Sequence, residues 1–383
     1  MRKSRDVALV LSGGGVNAIL LEIGFLRRIR ESDLWPRVGW VYGTSAGALA
    51  GVMAALDRLD DLERFCLDLE PDETFRPNRI WQLPLTGLHD YTLPGTVAER
   101  LGEPEELADA LAEAPIELVV CVTDVGDVDG VDAVAAFERT YSSHSTPREA
   151  FMPAVLASAA ISALVLPVRI GETIGTDGGW VRNFPLAHAY DNPEVEQIVG
   201  FRYEARYPLR SPTGLVRLRR RLEAFRAVPP VKALIAELEE AEARAERGEP
   251  AHMPEMILRL MRITIARNTA LEERHADERD ASVAELELLR RDTAELAARH
   301  AAPWGRRRAR AAVEERFTAA RFPFRHDRRL PRTIVTVDPG EQGLDPTFRA
   351  GLTWPREVKE ALIERGYRAA DEALRADADT EQA

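Results

Sequence analysis

The sequence predicts a three-layer α/β/α fold with a mostly parallel central sheet and an inserted α-helical arm. Two observations lead to this fold class. In the first half of the chain, short apolar runs suited to buried strands alternate with segments whose apolar residues recur at helical spacing. This alternation is typical of a parallel sheet covered by helices on both faces. From about residue 205 the chain becomes rich in Ala, Glu, Leu and Arg, which indicates long helices.

Length and composition exclude several classes of protein. The 383 residues are 45% hydrophobic and 30% charged, which is typical of a folded chain with more than one structural unit. The net charge of −12 disfavours a general nucleic-acid binder, because phosphate contacts need a basic surface. Two cysteines are too few for a disulfide framework or a cysteine-based zinc site, and they favour a reducing compartment.

The sequence shows no targeting or membrane-spanning segment. Residues 1–6 lead directly into the apolar run Val7–Leu11 without the features of a signal peptide, so we expect a cytoplasmic chain. Two uncharged stretches, 40–56 and 151–168, approach the length of a membrane span. Both are rich in Ala, Gly and Ser, so we interpret them as buried core.

The individual elements follow from the same patterns. Strands are predicted at 7–11, 40–42, 116–122, 168–174, 196–203 and 333–337. Helices are predicted near 19–26 and at 48–59, 154–163, 214–248, 254–302 and 358–374. Residues 71–95 carry six prolines and glycines and are predicted to form a surface excursion. We expect a core at 1–204, a helical arm at 205–330, and a strand and helix at 331–383 that return to the core.

A GxSxG motif lies between a predicted strand and a predicted helix. It comprises Gly43, Thr44, Ser45, Ala46 and Gly47. This context is typical of a nucleophile elbow, in which a sharp turn needs glycines on both sides of the serine and raises its hydroxyl above the sheet. Ser45 is therefore the candidate nucleophile.

A second glycine-rich turn ends the first predicted strand. Gly13, Gly14 and Gly15 stand at the start of the next helix, where backbone N–H groups could stabilise an oxyanion. Together with Ala18, the same glycines also fit a dinucleotide-binding fingerprint. That fingerprint needs an acidic residue at the end of the second strand, where this chain has the GxSxG motif instead.

Asp177 follows a predicted strand and precedes Gly178 and Gly179. An aspartate within hydrogen-bond reach of Ser45 could act as its base, although Asp-Gly is also a common turn dipeptide. A conventional triad would need a histidine, for which His188 with Asp124 is the best candidate pair. No cluster of His, Asp, Glu or Cys has the sequence spacing of a metal site.

Taken together, these motifs resemble the bacterial patatin-like phospholipases. The resemblance spans roughly residues 7–203 and includes two further segments, 157–161 and 183–186. It implies a Ser45–Asp177 catalytic dyad without histidine and an oxyanion hole formed by Gly13 to Gly15. The chain departs from the family pattern at Asn17 and Ala18, where a basic residue and a glycine are usual, and at Ser162, where a proline is usual.

The resemblance implies a serine hydrolase that cleaves lipid acyl esters without a cofactor. Two alternatives stay open: a catalytically weak relative that binds lipid or another partner, and a conventional Ser-His-Asp esterase using His188. The arm at 205–330 has no counterpart in the pattern of that family. Its basic segment 206–226 and the cluster 306–310 suggest peripheral contact with an anionic membrane, although arginines on long helices commonly pair with nearby glutamates. Head-group preference, acyl-chain preference and oligomeric state are not predicted.

Overall fold

The computed structural model describes residues 5–78, 89–126, 137–161, 164–204, 216, 219–220, 222–226, 229–247, 253–320, 330–338 and 355–382. Two compact units divide the chain. One combines Met1–Glu204 with Asn268–Ala383, and the other is Ala205–Arg267. The functional division into a core at 1–204, an arm at 205–330 and a returning segment at 331–383 stays a prediction.

Ten strands and twelve α-helices are formed by the described residues. The strands are β1 Val7–Leu11, β2 Val38–Gly43, β3 Phe75–Pro77, β4 His89–Tyr91, β5 Glu117–Asp124, β6 Glu138–Ser142, β7 Val168–Ile170, β8 Thr173–Asp177, β9 Gln197–Tyr203 and β10 Arg332–Val337. The helices are α1 Gly15–Arg30, α2 Ala46–Ala55, α3 Leu59–Asp68, α4 Leu93–Arg100, α5 Pro104–Glu113, α6 Arg148–Ser158, α7 Gly179–Arg182, α8 Leu186–Asp191, α9 Pro229–Glu246, α10 Met253–His300, α11 Arg306–Ala319 and α12 Arg356–Gln382.

The predicted fold class is confirmed. Eight strands form the central sheet in the order β10-β9-β1-β2-β5-β8-β7, with β6 also paired to β5. The pairs from β10 to β5 are parallel, whereas β6, β7 and β8 pair in antiparallel fashion. Helices cover both faces, which gives three α/β/α layers. The two short strands β3 and β4 form a separate hairpin within the predicted surface excursion.

The central strand β1 is buried on both faces, which explains why it is a continuous apolar run rather than an alternating one. Leu9 and Leu11 belong to the hydrophobic cluster on one face of the sheet. Ala8 and Val10 belong to the cluster on the other face, which also contains Ala276 of α10. Successive side chains of a strand point to opposite faces, so both layers of helices pack on this one strand.

Helix α12 returns to the core and packs closely against α1. A Cβ atom added at Gly24 would lie 1.9 Å from the carbonyl oxygen of Ile363, and one added at Gly366 would lie 1.9 Å from that of Leu21. Neither glycine could therefore gain a side chain without separating the two helices. Strand β10 pairs with β9 at the edge of the sheet, so the C-terminal strand and helix belong to the same unit as Met1–Glu204.

Several predicted elements differ from those in the structure. The helix expected at 154–163 is instead α6, Arg148–Ser158, and two other elements are each divided in two. Residues 168–174 were expected to form one strand, but β7 and β8 form an antiparallel hairpin that turns at Gly171, whose φ of +58° suits glycine. Residues 48–59 were expected to form one helix, but α2 ends at Ala55 and α3 begins at Leu59. Asp57 has a φ of +54° between them, so the backbone leaves the helical path there.

The unit Ala205–Arg267 contains part of the basic segment that the sequence analysis singled out. Most of residues 206–226 lie outside the described residues. Arg219 donates to Glu242 at 2.9 Å, and Arg226 pairs with Glu223 and Glu239. None of the helices in the described part of the chain combines the length and apolarity needed to cross a bilayer.

Candidate active site

Strand β5 brings the ends of β2 and β8 together. Gly43, the last residue of β2, pairs with Val120, and Asp177, the last residue of β8, pairs with Val122. The two strand ends therefore reach positions only two residues apart along β5. Ser45 and Asp177 meet at this point, and the Ser45 hydroxyl donates a hydrogen bond of 2.7 Å to Asp177 Oδ2.

Ser45 lies in a sharp turn between β2 and α2. Its φ of 56° and ψ of −117° lie outside the ordinary regions for a residue with a side chain. Strain of this kind is typical of functional positions and costs about 1–3 kcal/mol. The turn depends on close backbone approach, because a Cβ at Gly43 would lie 2.4 Å from the carbonyl oxygen of Gly47. The geometry is that of a nucleophile elbow.

Asp177 is held by hydrogen bonds from both sides. Its Oδ1 accepts the N–H of Gly179 at 2.7 Å, and its backbone N–H donates to the carbonyl of Ala160 at 3.0 Å. A Cβ at Gly178 would lie 2.2 Å from the carbonyl oxygen of Cys121, so only glycine allows this turn to approach β5. The carboxylate orientation is therefore fixed by its own loop.

Burial changes the acidity of Asp177. Desolvation raises the pKa of its carboxyl to about 6, even though the hydrogen bonds from Ser45 and Gly179 favour the charged form. A carboxylate with this pKa is ionised at neutral pH and yet is a stronger base than an exposed aspartate. These are the properties required of a general base near physiological pH.

The glycine turn after β1 lies beside the same site. A Cβ at Gly13 would lie 3.0 Å from Ser45 Cβ. The Gly13 N–H donates to the carbonyl of Asn183 at 3.0 Å, so it is already occupied. For the N–H groups of Gly14 and Gly15, which open α1, no acceptor lies among the described residues. These two N–H groups can therefore donate hydrogen bonds to an oxyanion.

Ser158 holds the backbone of Ser45, the candidate nucleophile, and no role was predicted for it from the sequence. Its hydroxyl accepts the backbone N–H of Ser45 at 2.9 Å and donates to the carbonyl of Cys121 at 2.6 Å. The side chain is fully buried. Ser158 is the only polar residue in the run 151–161, and a lone hydroxyl in a buried apolar helix is the signal that could have indicated this role.

Helix α10 braces the loop that follows Asp177. Asn268 donates to the carbonyl of Trp180 at 2.5 Å, and Asn183 donates to Thr269 at 3.2 Å. One turn later, Glu272 pairs with Arg182 and accepts the N–H of Ala187 at 3.1 Å. The long helix thus contacts the same Asn183 whose carbonyl receives the Gly13 N–H.

The structure places His188 in a partly buried ion-pair cluster. His188 Nε2 lies 2.7 Å from Glu138 Oε1, and Asp124 pairs instead with Arg139 at 3.1 Å. Burial alone would lower the pKa of His188, but its hydrogen bonds to Cys121 and Glu138 outweigh burial and raise the pKa to about 10. A doubly protonated imidazole cannot accept a proton from a serine.

The same cluster includes three side chains that could bind a metal ion, although their spacing along the sequence does not indicate a metal site. Donor atoms of Cys121, Glu138 and His188 lie within 4.8 Å of one another. The three residues come from β5, β6 and α8, which the fold brings together. The prediction concerned spacing along the sequence and could not detect a cluster of this kind. Arg182 already donates to both oxygens of Glu138, and the group is organised as an ion-pair network.

The patatin-like phospholipase family matches residues 9–190. Among solved structures, the crystal structure of VipD from Legionella pneumophila is similar with a TM-score of 0.43 and 14% identity, covering 97% of this chain and 67% of that one. No curated protein is similar enough to count as a match.

The family match includes every motif described above. It extends from the strand before the glycine turn, through the nucleophile elbow, to the helix that follows the aspartate loop. The chain therefore carries a patatin-like phospholipase domain over residues 9–190.

Proposed function

We propose that this protein is a lipid acyl hydrolase that uses a Ser45–Asp177 dyad. The observation that carries the proposal is the 2.7 Å hydrogen bond from a strained elbow serine to a buried aspartate whose pKa is raised to about 6. The family supports hydrolysis of lipid esters in general. The assignment of the residues rests on the geometry.

The proposed reaction has two halves. Ser45 Oγ attacks the ester carbonyl carbon as its proton passes to Asp177, and the N–H groups of the glycine turn stabilise the tetrahedral oxyanion. Collapse of this intermediate breaks the bond to the alcohol, which leaves with the proton from Asp177. Water then gives a proton to Asp177 as it attacks the acyl-enzyme carbonyl. Collapse of this second intermediate breaks the bond to Ser45 Oγ, which takes the proton back from Asp177, and the fatty acid is released. No step requires a cofactor.

The conventional Ser-His-Asp alternative is less well supported. Its histidine, His188, pairs with Glu138 rather than with Asp124. The raised pKa of His188 also keeps the imidazole charged at neutral pH. A second alternative, a catalytically weak relative that only binds lipid, is distinguished by reactivity rather than by geometry.

A fluorophosphonate probe tests these alternatives directly. Covalent labelling requires an activated nucleophile, so we expect stoichiometric modification of Ser45 at pH 8, located by mass spectrometry of the digested protein. Heat-denatured protein is the control for non-specific labelling. Absence of labelling in folded protein would favour the lipid-binding alternative.

An apolar cavity one helical turn beyond Ser45 supports an acyl substrate. Six of its lining residues are Ile19, Leu49, Met53, Phe65, Val97 and Met152. Leu49 stands four positions after Ser45, on the helix that begins at the elbow. The cavity has a volume of about 20 Å³, which is too small for an acyl chain unless its side chains move. We propose that the acyl chain enters it as the flexible side chains of Met53 and Met152 shift, since such pockets bind ligands mainly through apolar contact.

Replacing Leu49 by tryptophan should shorten the accepted acyl chain. We expect turnover of a decanoyl nitrophenyl ester to fall at least ten-fold relative to the butanoyl ester, because the indole would fill the cavity near the nucleophile. Leu289, which is exposed on α10, offers a matched Leu→Trp control. An unchanged ratio between the two esters would exclude this cavity as the acyl site.

Peripheral membrane contact through the basic part of the arm also belongs to the proposal, as does a cytoplasmic location. In the segment 206–226, the described residues Arg219 and Arg226 already pair with glutamates, which reduces their availability to lipid. The net charge of −12 disfavours nucleic acid as a partner, because phosphate contacts need basic residues.

A further inference from the structure

The ends of α10 and α11 form a helical hairpin with an exposed tryptophan at its turn. The two helices are joined by the short helix Pro303–Gly305, and Arg290 of α10 pairs with Glu314 of α11 at 2.7 Å. Arg290 precedes the turn and Glu314 follows it, so the ion pair places the two helices side by side and antiparallel. Trp304 is 89% exposed at the turn.

The hairpin tip, defined as residues 296–313, carries a concentrated positive charge. It contains five arginines and no aspartate or glutamate, in a chain whose net charge is −12. Arg299 pairs with Glu295 at 3.0 Å. Four exposed arginines remain, and no carboxylate of the described residues pairs with any of them: they are Arg306, Arg307, Arg308 and Arg310.

These arginines do not stabilise their own helix. Three of them occupy the first turn of α11, which contains no acidic residue. The helix dipole favours acidic residues at this end and opposes cations there. Exposure of a tryptophan beside them is also unfavourable in water, because large aromatic side chains stabilise a protein when they are buried. The tip is therefore arranged for contact with something outside this unit.

We propose that the hairpin tip docks the protein on the surface of an anionic lipid bilayer. An indole prefers the interface between water and hydrocarbon, and guanidinium groups pair with lipid phosphates, so the two features fit one occupant. Leu296, 56% exposed on α10, lies within the same tip and adds apolar surface. This inference rests on the proposed function only in that a lipid hydrolase must reach its substrate.

Sedimentation with vesicles tests the docking surface independently of catalysis. The full-length protein should co-sediment with phosphatidylcholine vesicles that contain 30% phosphatidylserine at low salt, and much less with pure phosphatidylcholine. Each basic residue near an anionic surface contributes about five-fold to binding. Replacing the four unpaired arginines by glutamine should therefore weaken binding on the order of several hundred-fold. Trp304→Ala should weaken it about ten-fold.

A matched variant separates local from general electrostatics. Arg64, Arg356, Arg368 and Arg375 are exposed arginines in ion pairs elsewhere on the same unit, and their replacement by glutamine changes the net charge equally. This control should retain most of the binding. Equal loss of binding in both four-residue variants would overturn the proposal. Unchanged binding of Trp304→Ala would also overturn it. Because Trp304 is exposed, its replacement should leave the fold intact, so a loss of binding in that variant could not be attributed to misfolding.

Turnover of a soluble butanoyl ester separates this inference from the proposed function. Tip variants should keep wild-type turnover while losing vesicle binding. If the wild-type protein binds vesicles but hydrolyses no ester, the docking surface stands and the proposed chemistry fails. If the wild-type protein ignores anionic vesicles, or binds single-stranded RNA more tightly through the same arginines, the bilayer assignment fails.

Discussion

Replacement of Ser45 by alanine is expected to lower ester hydrolysis by about four to six orders of magnitude while the fold stays intact. Ser45 Oγ is the only group proposed to form the covalent intermediate, so no other side chain can replace it. The measurement is kcat/KM for a soluble nitrophenyl ester, together with the free energy of unfolding in urea.

The control for this variant is Ser32→Ala, which removes a hydroxyl that donates to the carbonyl of Ile29 and accepts the N–H of Leu34, with no hydrogen bond to the elbow. It should retain wild-type turnover. If Ser45→Ala retained most of the esterase activity after rigorous purification, the nucleophile assignment would be wrong.

Asp177→Asn is expected to be nearly as damaging, with a loss of at least a thousand-fold in kcat/KM. An amide has the shape of the carboxylate but cannot accept the serine proton. His188→Ala is the matched comparison and should cost less than ten-fold, because the imidazole has no chemical role in a dyad. Similar losses in the two variants would favour the Ser-His-Asp alternative.

The pH dependence of the wild-type protein follows from the same carboxylate. Because burial raises the pKa of Asp177 to about 6, kcat/KM should rise ten-fold per pH unit below that value and level off above it. A stopped assay with quantified product avoids interference from the titration of nitrophenol. A rate that stayed constant down to pH 4 would contradict the role of Asp177 as base.

Asp177→Asn should also make the protein more stable at alkaline pH. The pKa of Asp177 is raised in the folded state, so its buried charge destabilises the fold once pH exceeds both the unfolded and folded values. The amide removes this charge and should raise the free energy of unfolding by about 3 kcal/mol at pH 8, which corresponds to a pKa raised from 3.8 to about 6. The gain should disappear as pH falls below 4, where the carboxyl is neutral in both states. Urea titrations at the two pH values measure the difference.

Much of the fold follows from local patterns in the sequence. The run Val7–Leu11 is apolar throughout because β1 is covered on both faces, and the GxSxG motif marks the strand end that carries the nucleophile. The approach of Asp177 to Ser45 was expected from the family resemblance. The 132 residues that separate them along the chain are bridged by β5, whose pairing register sets the distance.

The parts that sequence did not predict depend on contacts between distant residues. Ser158 is one hydroxyl in a buried helix, and only the structure reveals that it holds the Ser45 backbone. The cluster of Cys121, Glu138 and His188 has no fixed spacing, because three separate elements converge on it. The turn at Gly171 was missed because a short hairpin and one long strand share the same apolar composition.

The way β10 and α12 complete the molecule limits how it can be shortened. The region matched by the family ends at residue 190, before β9 begins, while β1 pairs with β9 along its whole length. A fragment cut at residue 204 would keep β9 but expose its outer edge, and it would uncover the face of α1 against which Gly366 packs. Unpaired strand edges template aggregation. The segment that defines the family is therefore smaller than the segment that can be expressed as a soluble fragment, and trials of minimal domains should retain both chain ends.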